Sequence, residues 1–140
     1  MSVTNAMYPK ENVPTLRYAA ASLAFVSKLI HLWVVPGQLV AAMLPGVFFS
    51  LVAMGQGLLG ASLLFGPGRW ALRFGILLNL SVILVWAITP VVSVPKLFEP
   101  LRLPIEGLGA IATAAEAALV VLLVRLRRSV LPKRRKRRVR

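Results

Sequence analysis

The sequence predicts an all-α polytopic membrane protein, an antiparallel bundle of four transmembrane helices, and three observations lead there. First, 58% of its residues are hydrophobic, 15% are charged and the mean hydropathy is +0.78, beyond the roughly 45–50% apolar content of soluble domains. Second, four stretches approach the roughly 20 apolar residues that a bilayer crossing needs at 1.5 Å of helical rise per residue. Third, charge is segregated: ten of the seventeen Lys and Arg residues lie in 125–140, so the sequence pI of 11.9 describes a tail.

Segment 1–17 is polar, holds Pro9, Lys10, Glu11 and Pro14, and lacks the basic start and compact apolar run of a cleaved signal peptide. It reads as a cytoplasmic N-terminal segment, with the first apolar stretch retained. Four spans follow within a transmembrane domain at 18–124. The first, 18–35, is expected to stop at Pro36 and Gly37. The second, 45–65, opens with Pro45, which suits the first turn of a helix, and leaves Gln38 to Leu44 as an interfacial or re-entrant stretch. Gly66, Pro67, Gly68 and Arg69 make a tight connection to the third span, 70–89, which ends before Pro90. A proline-punctuated loop, 90–104, leads to the fourth span at 105–124 and the polybasic tail at 125–140.

Lys and Arg are retained on the cytoplasmic side of membrane proteins. With the C-terminus inside, Lys10, Arg17, Arg69, Arg73 and the tail are inner, while only Lys96 and Arg102 are outer. An even number of crossings satisfies every loop, so both termini are expected in the cytoplasm of a bacterial inner membrane. Trp33, Trp70 and Trp86 fall near span ends, where indole rings favour the headgroup zone. Ala53, Gly57 and Ala61 recur every four residues and permit close helix packing, within the chain or in a homodimer.

Lys28 and Glu116 are charges inside predicted spans, where insertion costs about 2.5–3.5 kcal/mol and function or pairing is the usual reason. Counted from the inner boundary, Lys28 is about 16 Å deep, Gln56 and Asn79 about 14 Å, and Glu116 about 12 Å. Each helix thus places one strongly polar residue in a midplane layer. Lys28 and Glu116 are expected to pair, with Gln56 and Asn79 completing the hydrogen bonds. The alternatives are a snorkelling Lys28 and a Glu116 that is protonated or bound to another subunit. His31, one turn from Lys28, is expected to hydrogen-bond, with a haem or chlorin ligand as the other reading.

In the tail, Lys133, Arg134, Arg135, Lys136, Arg137, Arg138 and Arg140 are expected to contact anionic lipid headgroups, each worth about 1 kcal/mol near such a surface. Nucleic acid is not expected as a partner, because the adjoining span decides the use of the basic run. The absence of Cys excludes disulfides, thiolate metal sites and cysteine nucleophiles. With one His, no glycine-rich phosphate loop and no Ser/His/Asp set, the sequence predicts no catalytic residues, metal site or cofactor.

The order of His31 and Pro36, Gly46-Val47-Phe48-Phe49, Gln56, Asn79, Trp86 and Glu116 resembles an uncharacterised group of small four-helix bacterial integral membrane proteins over about 30–120. That group often has a second His where this chain has Gln38, a departure from what a shared metal or haem site needs. In size and topology the chain is also similar to DoxX-type membrane proteins. The resemblance implies a fold and no activity. The sequence reading is therefore a non-enzymatic accessory or assembly component, with other membrane subunits or a second copy as partners. A small ligand or proton carrier using the Lys28 and Glu116 layer is the first alternative, and a cofactor-binding subunit using His31 the second.

Overall fold

The computed structural model describes residues 13–41, 43–88 and 106–130. Among them are four helices and no strand: α1 (Val13–Ala41), α2 (Met43–Phe65), α3 (Arg69–Ile88) and α4 (Glu106–Val130). All four are long and apolar enough to cross a membrane. Helix is the form that hydrocarbon imposes on such a sequence, since each backbone N–H and C=O must find its partner within the segment. The chain is a multi-pass membrane protein.

Four boundaries differ from the sequence reading. α1 does not stop at Pro36 but continues through it to Ala41. Proline removes one N–H from the ladder, and a long apolar helix in a bundle tolerates that loss. Gln38 therefore lies in α1, and Met43 and Leu44 lie in α2, so these residues continue the two helices and do not form a separate re-entrant stretch. α1 also begins at Val13, before the expected 18, and α4 runs to Val130, past the expected 124. Both extensions carry arginines, which lengthen a helix without belonging to its apolar stretch. Segments 1–12, 89–105 and 131–140 and Ala42 lie outside the described residues, and with them the expected outer loop and basic tail.

Successive helices are joined by one residue between α1 and α2 and by Gly66 to Gly68 between α2 and α3. Gly66 takes a φ of 107°, a left-handed conformation that only glycine adopts without strain. Leu72 N–H then donates to Gly68 C=O at 3.2 Å to start α3. α1 packs on α2 and α4, and α3 packs on the same two helices, so the four close a ring in chain order. Facing positions step in opposite senses along neighbours. Gly46, Gly57 and Gly60 of α2 face Leu39, Lys28 and Phe25 of α1, and Gly55 and Gly75 face Leu78 and Leu59 across α2 and α3. This is consistent with an antiparallel bundle.

That register brings Arg17, Arg69, Arg73, Arg125, Arg127 and Arg128 to the end where α2 turns into α3. Arg17 and Arg73 lie over the rings of Tyr18 and Trp70, at 5.3 and 5.6 Å. Above this end lies a core in which Leu59, Leu63, Leu72, Leu119, Leu123 and Leu126 pack against the small Ala20, Ala21 and Ala24 of α1. The outside is equally apolar: Leu29, Leu58, Leu77, Met54, Ile111 and Leu84 are all more than half exposed. Water does not surround a surface of this kind; lipid chains do.

Candidate functional site

A polar layer crosses the bundle beyond the leucine core. Ser27, His31, Gln56, Asn79 and Glu116 are all buried, each at most 2% exposed. Two pairs form within it. His31 Nε2 and Glu116 Oε1 share a hydrogen bond of 2.7 Å, linking α1 to α4; where Glu116 is a carboxylate, the ring nitrogen is the donor. The Gln56 amide donates to Asn79 Oδ1 at 3.3 Å, linking α2 to α3. Asn79 Nδ2 in turn donates to Gly75 C=O at 2.7 Å, which holds its side chain against its own helix. The imidazole of His31 stacks on Phe49, with centroids 5.5 Å apart and planes 19° apart, and Phe48 meets Phe49 edge-on.

Of the four residues expected in one layer, Gln56, Asn79 and Glu116 are buried and Lys28 is half-buried, and Gln56 and Asn79 bond to each other instead of completing a Lys28–Glu116 pair. The expected pairing of Lys28 with Glu116 is replaced. Depth along a helix was countable from sequence, but azimuth was not: three residues turn an α-helix by 300°, leaving His31 and Lys28 about 60° apart in projection. His31 is turned to α4 and reaches the carboxylate. Lys28 is turned to α2, where its stem and Nζ lie over Gly57, both 3.1 Å from the position a Cβ there would take.

His31 and Glu116 also line a partly enclosed cavity with Phe48, Phe49, Val82, Trp86, Thr113 and neighbouring small residues. The space in it open to centres of water-sized spheres is about 30 Å³. One water takes roughly 10–15 Å³ on that measure, so the cavity has room for about two waters or one small polar group. Thr113, one turn before Glu116, donates its hydroxyl to Gly109 C=O at 2.9 Å, which leaves its oxygen able to accept. Chemically, the arrangement can hold one proton between an imidazole and a carboxylate and hydrogen-bond a small polar molecule beside them.

Several buried polar atoms have no hydrogen-bond partner among the described residues: Ser27 Oγ, His31 Nδ1, Gln38 Oε1 and Gln56 Oε1. Sequence reasoning passed over Ser27, Thr113 and the burial of Gln38. Thr113 is a small hydroxyl of the kind apolar helices absorb by bonding to their own backbone, Ser27 is equally inconspicuous in an apolar run, and Gln38 was hidden by the expected stop at Pro36. No group of three or more His, Asp or Glu side chains that could hold a metal ion occurs among the described residues. Comparison of the chain with protein-family models, curated proteins and solved structures gives no match.

Proposed function

We propose that the chain is a non-enzymatic accessory or assembly component of a bacterial inner membrane, working through contacts of its helices with other membrane subunits. The observation that carries this reading is the disposition of polar groups. His31 and Glu116 use their hydrogen bond on each other and close α1 onto α4, as Gln56 and Asn79 close α2 onto α3. Such pairs fix how helices face one another more than they add stability. A bundle held in one register is a rigid platform, and its outward faces remain for partners. The arginine-rich end is cytoplasmic in this proposal, and the basic tail rests on anionic lipid headgroups.

The test is native electrophoresis of the intact chain from gently solubilised host membranes. A defined assembly, larger than one chain with its detergent and retained after anionic lipids are exchanged, is the expected result. Migration as a lone chain contradicts the proposal.

One observation favours a second reading, in which the cavity beside His31 and Glu116 accepts a small polar ligand or a proton in transit. Filling that cavity through Gly109→Leu then abolishes binding or transport while the bundle persists. In the accessory reading the same change leaves the assembly intact.

A further inference from the structure

The disposition of Lys28 identifies a partner by its chemistry. Lys28 is half-buried on α1, and among the described residues no ion pair or hydrogen bond engages its ammonium. The sole carboxylate in the described layer, Glu116, is 1% exposed and occupied by His31. Nor does the side chain escape to a headgroup. Its Nζ lies level with Gly57, nine residues above the turn at Gly66 and so about 14 Å from that end, near the middle of a hydrocarbon layer of about 30 Å. Gly57 makes the position possible: a Cβ there would stand 3.1 Å from Nζ, tight enough to push the ammonium away from α2. A cation at this depth is costly unless an anion meets it.

We propose that the outer face of the α1–α2 seam at Lys28 receives a transmembrane helix of a different protein that carries an Asp or Glu at mid-span. Charge complementarity selects this occupant. A second copy does not qualify, because the buried Glu116 is the only acidic residue its four apolar stretches place at that depth. A lipid phosphate does not qualify either, since it sits at the headgroups and not 14 Å below them. The neighbouring surface suits a helix: Gly57 and Ala61 are small and half-buried, and Leu32, Met54 and Leu58 rise beside them as exposed apolar side chains. Small residues permit close approach, and the carboxylate and ammonium supply selectivity. This inference rests on the accessory reading and specifies what that reading binds.

The experiment places the full-length chain in phosphatidylcholine vesicles with a labelled poly-leucine transmembrane peptide, carrying either Asp or Leu at its centre, and measures association by energy transfer. The Asp peptide is expected to bind about tenfold more tightly than the Leu peptide, a factor equivalent to about 1.4 kcal/mol. Lys28→Met removes that preference, and Lys28→Arg keeps it. Circular dichroism and the migration of Lys28→Met in detergent check that the bundle is intact. Equal binding of the two peptides overturns the inference, as does a preference that survives in Lys28→Met. So does self-association of the chain that displaces the Asp peptide, which makes a second copy the occupant, or a preference that appears only with anionic lipid. A defined native assembly combined with indifference to the peptide's charge refutes the role of Lys28 and leaves the accessory reading standing.

Discussion

Removing the carboxylate of Glu116 tests the polar layer most informatively, because the structure gives its effect a sign and a size. In Glu116→Leu the 2.7 Å hydrogen bond to His31 is lost, and hydrogen bonds to charged groups contribute about 1.5–3 kcal/mol. His31 stays 2% exposed, and with Nδ1 already lacking a partner neither ring nitrogen is satisfied, at about 1–3 kcal/mol. Against this stands the relief of taking a charge out of hydrocarbon, about 2.5 kcal/mol on insertion scales. That relief is partial, since the unfolded helix in the membrane carries the same carboxylate. The net expectation is a loss of about 3 kcal/mol, within the range for breaking a buried pair. His31→Leu is expected to lose a similar amount by stranding the carboxylate. The double variant strands nothing and fills the space with apolar side chains, so it is expected within about 1 kcal/mol of the parent. Titration of the detergent-solubilised chain with dodecyl sulfate, followed by tryptophan fluorescence, measures all four corners of the cycle. Losses that simply add in the double variant would mean that the two side chains are not in contact.

Other outcomes follow from the same packing. Lys28→Glu combined with Glu116→Lys is expected not to recover folding lost in the single variants, because the native partner of Glu116 is His31; expression of the double variant in membranes reads this directly. Gly46→Ala sets a Cβ 2.9 Å from the Cα of Leu39, which is backbone, whereas at Gly75 the Cβ meets only the movable ends of Leu59 and Leu123. Dodecyl sulfate midpoints are therefore expected to fall further for Gly46→Ala than for Gly75→Ala. Gly66→Ala forces a Cβ into a φ of 107° and is expected to lower stability by about 1 kcal/mol or more in the same titration. Asn79→Leu leaves the Gln56 amide without its interhelical acceptor. It is expected to lose about 1 kcal/mol, with Gln56→Leu largely restoring it.

The existence of four helices was legible because hydrocarbon length and charge exclusion are one-dimensional properties. Runs of apolar residues state them without knowledge of packing. The depth of Gln56, Asn79 and Glu116 was legible for the same reason, since rise per residue is fixed. Azimuth was not: whether Lys28 or His31 meets Glu116 depends on how α1 is rotated against α4. That rotation is set by the fit of Ala20, Ala21 and Ala24 against Leu119, Leu123 and Leu126, and no local signal reports it. Pro36 misled because its local rule belongs to helices in water. Thr113 and Trp86 became part of the site only when α3 and α4 were placed side by side.

Everything here depends on a bundle that crosses the bilayer four times with its arginines at one end. A chain without cysteine permits a direct measurement: single cysteines at Met43, Gly68, Leu77 and Ser129, probed with a membrane-impermeant maleimide in sealed vesicles of known orientation. The account predicts that Gly68→Cys and Ser129→Cys react from one side only, Met43→Cys from the opposite side only, and Leu77→Cys from neither. Labelling of Met43→Cys and Gly68→Cys from the same side, or ready labelling of Leu77→Cys, would contradict it.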